Sequence, residues 1–201
     1  MSITNLTPMQ LDFLKELSNI GGGNAATSFS QLVQRPIRME VPVVQILPYD
    51  RIYMDIMEEE EQVHAVSIRA LGDIPGNFLF VAKDNSTVDL IEMLMGQGVK
   101  KMDDIGISAL QEICNILCSS YVNALSRLLD ISIISSVPAY VKDMFGAILP
   151  SIYMESGQFE DQLLLIENYF FANNYRINTH LFFIPQPGSL DKIFIKMGLN
   201  K

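Results

Sequence analysis

The chain has 201 residues and 22.6 kDa, with 49% apolar and 18% charged residues, enough for a sizeable core and too apolar for a disordered chain. A formal net charge of −9 and a sequence pI near 4.6 repel phosphodiester backbones and argue against nucleic acid as a partner. No uncharged apolar run reaches the roughly 20 residues of a membrane span, and Met1 to Pro8 show neither a basic start nor an apolar signal core, so a cytoplasmic chain without membrane insertion is expected.

Amphipathic periodicity predicts a long helix over residues 7–34. A β-branched stretch at 37–47 reads as strand, 50–57 as a less regular segment, and 63–71 and 77–82 as two further strands joined by the turn Asp73-Ile74-Pro75-Gly76. A short helix begins near Ser86, as N-cap, and ends at Gly96. The same order then returns: a helix over 104–130, a strand at 131–141, an irregular segment at 144–153, and strands at 162–171 and 177–184 around Ala172-Asn173-Asn174. A closing helix runs from Ser189 to Gly198, with Phe194 to Leu199 reading as a docked tail. The run Glu58-Glu59-Glu60-Glu61 reads as a solvated loop.

The second series is a copy of the first, displaced by 96 residues. Leu14, Glu16, Asn19 and Ile20 fall on Leu110, Glu112, Asn115 and Ile116 without a gap. Ser30, Leu32, Ile37, Val41 and Pro42 then fall on Ser126, Leu128, Ile133, Val137 and Pro138, making about nine identities in 33 positions. A duplication fits the length, as one domain made of a repeat over about 7–100 and a second over about 104–201. Gly21-Gly22-Gly23 looks like a helix breaker, each glycine costing about 1 kcal/mol against alanine. The matching Leu117-Cys118-Ser119 is good helix sequence, so the first helix is expected to continue through its glycines, which suit close helix contact or close approach of a ligand backbone. GGGN has the spacing of neither phosphate-cradling motif.

At 100° per residue, Asp12, Glu16 and Asn19 lie near 0°, 40° and 340°, opposite Leu11, Phe13, Leu14, Leu17 and Ile20. Ser108, Glu112 and Asn115 repeat that stripe, opposite Ile107, Leu110, Ile113 and Ile116. A merely solvated face is free to drift between duplicated halves, as Lys15 and Gln111 did, yet the Glu and Asn are the same in both. An Asn amide can both donate to and accept from one water. A Glu carboxylate can pair with a lysine. No nucleophile with a base beside it and no carboxylate cluster accompanies them, so the stripe suits positioning a water on a partner that carries the rest of an active site. Cys114 and Cys118, four apart in apolar helix, read as small core residues; His64 and His180 have no neighbouring candidate ligand in sequence, so no metal site is expected.

The pattern [Asp/Ser]-x3-Glu-x2-Asn-x22-Pro resembles the signature of the CheC/CheX/FliY phosphatases of chemotaxis, matched once by Asp12, Glu16, Asn19 and Pro42 and again by Ser108, Glu112, Asn115 and Pro138. The stretch from Leu17 to Thr27 is also similar to this family's first helix, and the resemblance covers essentially the whole chain. It implies dephosphorylation of the response regulator CheY-P, with Asn19 and Asn115 orienting the attacking water and Glu16 and Glu112 pairing with the regulator's phosphate-contacting lysine. Pro42 and Pro138 would shape the strand beside each helix, and Asp12 and Ser108 would have helix-surface or supporting roles. The implied fold is an α/β sandwich of two pseudo-symmetric repeats sharing a mainly antiparallel central sheet, with two long antiparallel helices on one face. No cofactor is implied on this chain; Mg²⁺ would belong to CheY. The deamidase CheD is a further implied partner, and Asp143 and Phe145, in a segment without a close counterpart in the first half, are candidate contacts. An adaptor that binds CheD is the alternative to catalysis.

Overall fold

Two amphipathic helices of equal length, α1 (Pro8–Val33) and α4 (Asp104–Leu129), set the frame of the computed structural model, which describes residues 6–96, 102–157, 162–172 and 175–199. The start of α1 is fixed by a capping box: Thr7 Oγ1 accepts from Gln10 N, and Gln10 Oε1 accepts from Thr7 N. Asp103 caps α4 by accepting from Gly106 N at 2.9 Å. Both helices end on a left-handed residue, Gln34 (φ 52°) and Asp130 (φ 49°), again 96 positions apart. In each, the next residue's N–H returns to the same carbonyl, Ser30 or Ser126.

After each long helix the expected single strand is broken in two. In the first half it becomes β1 (Ile37–Met39) and β2 (Val43–Pro48); in the second, β5 (Ile133–Ser135) and β6 (Ala139–Met144). Pro42 and Pro138 lie in the breaks, since proline has no N–H to give a ladder. The "irregular" segments are helices: α2 (Tyr49–Asp55) and α5 (Phe145–Glu155), the latter running through Pro150. The hairpins are β3 (Gln62–Gly72) with β4 (Gly76–Ala82), and β7 (Gln162–Ala172) with β8 (Tyr175–Pro185); Asn173 and Asn174 lie outside the described residues. The shorter helices are α3 (Asp84–Met95) and α6 (Ser189–Lys196). Their starts differ from expectation: Lys83 precedes α3 without a side-chain cap, placing Ser86 inside the helix, and Gly188 precedes α6, freeing the Ser189 hydroxyl to donate to the Pro75 carbonyl.

One eight-stranded sheet holds all of this, in the order β1-β7-β8-β4-β3-β5, with β2 also on β7 and β6 also on β3. Every described pairing is antiparallel. The first half's β1 and β2 therefore complete the second half's hairpin, and the second half's β5 and β6 complete the first's. A pseudo-two-fold axis passes between Leu79 and Phe182, which face each other across β4 and β8 and hold matching places opposite Ser67 and Glu167. The axis is perpendicular to the sheet, so it reverses in-plane directions and sets α1 and α4 antiparallel.

Strand alternation divides the core into two layers. Val66, Ile68, Phe78, Phe80, Ile166, Leu181 and Phe183 pack under α1, α3, α4 and α6, while Val63, Ala65, Leu79, Val81, Leu165 and Phe182 pack under α2 and α5. The sandwich thus has a helical layer on each face of the sheet, the second of which sequence reading did not resolve. The acidic run is also more than a solvated loop. The carbonyls of Glu61 and Glu59 accept from Phe145 N and Gly146 N at the start of α5, and the Glu61 carboxylate pairs with Lys83 Nζ at 2.8 Å. The tail is docked as expected: Phe194 is buried, and Gln10 Nε2 donates to the Leu199 carbonyl at 3.1 Å.

Candidate functional site

The two long helices cover the same face of the sheet and bury Leu14, Leu17, Leu110 and Ile113 toward it, so the stripes opposite point outward together. Asp12, Glu16, Asn19, Ser108 and Glu112 are exposed and Asn115 is half-buried. Among the described residues, the side chains of Glu16, Asn19, Glu112 and Asn115 make no intramolecular hydrogen bond or ion pair. Asp12 faces Lys15 at 3.8 Å, and the Ser108 hydroxyl donates to its own helix at the Asp104 carbonyl, 2.8 Å. Two carboxylates and two amides are thus presented with unsatisfied polar atoms on one face.

The helices approach closely because of Gly21. A Cβ there would stand 2.8 Å from three ring carbons of Tyr121, whose phenol is hydrogen-bonded with Ser18 and whose ring packs edge-on to Phe78 at 5.3 Å. The 96-residue shift places Leu117 at the Gly21 position and Ala25 at the Tyr121 position, so bulk and space are exchanged between the halves. Ser120 Oγ donates to Ser28 Oγ at 2.7 Å and adds a polar link. Gly21 therefore serves helix contact, and α1 runs through all three glycines unbroken.

The prolines sit where the breaks bring the strands beside the helices. Glu40 N donates to the Tyr169 carbonyl at 3.0 Å and its counterpart Ser136 N to the Arg69 carbonyl at 2.8 Å, so both breaks re-enter the ladder identically. Pro42 is buried and Pro138 half-buried. One residue escaped sequence reading here: Gln111 Nε2 donates to the Pro138 carbonyl at 3.0 Å. Its signal was present, as the polar position before the repeated Glu, where the first half has Lys15, but it reads as ordinary drift.

The histidines are not isolated. Buried His64 lies between Tyr140 Oη (2.7 Å) and Asp84 Oδ1 (2.8 Å), which also receives Lys142 Nζ at 2.8 Å. Burial, with Lys142 adding to it, pushes the His64 imidazole down; the hydrogen bond from Lys142 holds the Asp84 carboxyl below its ordinary value. His180 Nδ1 and Tyr169 Oη both bond the buried Glu167 carboxylate. No group of three potential ligands for a metal forms among the described residues. Cys114 and Cys118 are buried thiols pushed up by desolvation, in keeping with core residues. Of the proposed partner contacts, Asp143 is exposed, but Phe145 is fully buried between Tyr53 and Phe182 and is unavailable to a partner.

A cleft of about 550 Å³ beside Tyr169, His180 and Lys83 and another of about 280 Å³ beside Lys192 and Lys196 are both lined by residues away from the stripes. The stripes lie on convex helix surface, a shape suited to entering a partner's site. Helix α4 is long and apolar enough to cross a membrane by length and composition, but half of that window is buried against the rest of the chain.

Over its whole length the chain is 32% identical to the CheY-P phosphatase CheC of Bacillus subtilis (strain 168), which it also covers completely. The chain belongs to the CheC-like family. That family's profile matches residues 9–46 and 105–141, the two segments that hold both stripes and both prolines. A second family relative is the flagellar motor switch phosphatase FliY of the same organism, 25% identical over 68% of this chain and 36% of FliY. The fold is that of Thermotoga maritima FliY, with a TM-score of 0.74 at 22% identity, covering 97% of this chain and 99% of that one. The expected sandwich of two related halves around an antiparallel sheet is the observed architecture, with α2 and α5 added as its second helical layer.

Proposed function

We propose that this protein hydrolyses the aspartyl phosphate of CheY-P, and that it does so at two places, one on α1 and one on α4. The observation that carries this reading is the duplicated Glu–Asn pair, unpartnered among the described residues and presented on one face, in a chain 32% identical to a CheY-P phosphatase throughout. Asn19 or Asn115 enters the regulator's site and holds a water in line with phosphorus by accepting through its carbonyl and donating through its amide. The water oxygen forms a bond to phosphorus, the bond to the aspartyl oxygen breaks, and inorganic phosphate leaves a free carboxylate. Glu16 or Glu112 pairs with the regulator's lysine and orients the approach. Mg²⁺ is held by the regulator, and this chain needs no cofactor of its own.

The test is the decay of phosphorylated CheY with wild type, Asn19→Ala, Asn115→Ala and the double variant. Acceleration should fall with each substitution and vanish with both, while the fold is retained. Full acceleration by the double variant would refute the reading.

A second reading, an adaptor that binds CheD, draws on one asymmetry. β6 exposes Val141, Lys142, Asp143 and Met144, whereas its counterpart β2 is half-buried. Capture of CheD by the wild type and equally by the Asn19→Ala/Asn115→Ala variant would support binding independent of catalysis; no capture would reject it.

A further inference from the structure

The two stripes are not equivalent, and the difference lies in how each is held. Gln111 precedes Glu112 and lies one helical turn before Asn115, at i and i+4 on the same face. Its amide spans 27 positions to the carbonyl of Pro138, in the break between β5 and β6 where that carbonyl stands outside the ladder. The bond joins the helix that carries Asn115 to the sheet beneath it and fixes the rotation of α4 about its own axis. Asn115 on that helix is half-buried. In the first half the same position is Lys15, which turns along its own helix to Asp12 at 3.8 Å, and Asn19 is exposed. Among the described residues no side chain of α1 is bonded to Pro42. Three glycines follow Asn19, where α4 has Leu117 and Cys118 packed in the core. Lys15 also places a positive charge next to Glu16, the group meant to receive a lysine.

We propose that Gln111 is a positioning residue for the α4 site, that its hydrogen bond to Pro138 preorganises Asn115, and that the α4 site therefore has the higher turnover of the two. This rests on the phosphatase reading above. An in-line water must be held within a fraction of an ångström, so a loosened helix lowers the rate of the chemical step more than it lowers binding.

Full-length proteins with one working site separate the terms: Asn19→Ala reports the α4 site and Asn115→Ala the α1 site. Gln111→Met, added to Asn19→Ala, keeps the side chain's length but cannot donate. It should lower kcat about tenfold, the equivalent of roughly 1.4 kcal/mol, with KM for CheY-P within about twofold and thermal stability little changed. Lys15→Gln, added to Asn115→Ala, should raise kcat at the α1 site. An unchanged kcat in the Gln111→Met protein, or a loss confined to KM, would overturn the inference and leave the phosphatase reading standing. A wild type that does not accelerate decay at all would overturn both.

Discussion

Alanine at Gly23 should raise stability, and alanine at Gly21 should not. Both lie in the middle of α1, and both substitutions remove the same backbone freedom from the unfolded chain, which favours the helix by about 1 kcal/mol. They differ only in what the new methyl meets. At Gly23 nothing stands within 4 Å of the added Cβ, so the gain is kept. At Gly21 the Cβ falls 2.8 Å from three carbons of the Tyr121 ring, which is 2% exposed, held by Ser18 and packed on Phe78. The ring cannot swing away without opening the α1–α4 contact, and overpacking of this kind costs about 1–3 kcal/mol. The two variants should therefore separate by about 1–3 kcal/mol, with Gly23→Ala above wild type and Gly21→Ala at or below it. Urea titration followed by far-UV circular dichroism measures this as a change of midpoint at constant slope. In Tm the separation is roughly 2–4 °C per kcal/mol for a chain of this size. Equal midpoints for the two variants would refute the claim that Gly21 is required by Tyr121.

Beyond that contrast, and beyond the Asn19, Asn115 and Gln111 kinetics described above, two further outcomes are expected. Ser156→Ala removes the acceptor of the buried Asn77 Nδ2 (2.8 Å) while Asn77 Oδ1 is already without a partner, so stability should drop by about 1–3 kcal/mol, read from the urea midpoint. The His64 imidazole is held below its ordinary value of about 6.5, chiefly by burial, so the unfolded chain takes up that proton first as pH falls. His64 therefore contributes stability that is present above about pH 6.5 and is lost as pH falls toward the lower folded value. His64→Gln should flatten the dependence of the urea midpoint between about pH 7.5 and 5.5; an unchanged slope would contradict this.

The parts of the fold legible in the sequence were those with long, unambiguous periodicity. The helices at 7–34 and 104–130 end within a residue of the observed α1 and α4, and the hairpin strands fall in place. What was missed has local causes. In α5 the apolar residues Phe145, Ile148, Leu149, Ile152 and Tyr153 do follow helical spacing, but Pro150 and the short span masked it. α2 has only seven residues, too few for periodicity to show. In the sequence Pro42 and Pro138 read as motif positions rather than strand breaks, because the β-branched run on either side looks continuous. The pairing of His180 with Glu167 comes from hairpin register, and that of His64 with Asp84 and Tyr140 from three separate elements. Neither could be read from spacing. The stripes themselves were legible because a duplication provides its own internal control.

The crossing of strands between the halves has a consequence during synthesis. Strand β2 pairs with β7, and the last residue of β2, Pro48, lies about 114 residues before the first of β7, Gln162. At roughly 5–20 residues per second a ribosome needs about 6–23 s to cover that distance. Through all of it the apolar segment Val43–Pro48 has no partner strand to cover it. The first half can form its own hairpin and helix in that time, but β1 and β2 must wait for the last quarter of the chain. Folding of this protein is thus timed by translation, and its most aggregation-prone interval falls before β7 emerges.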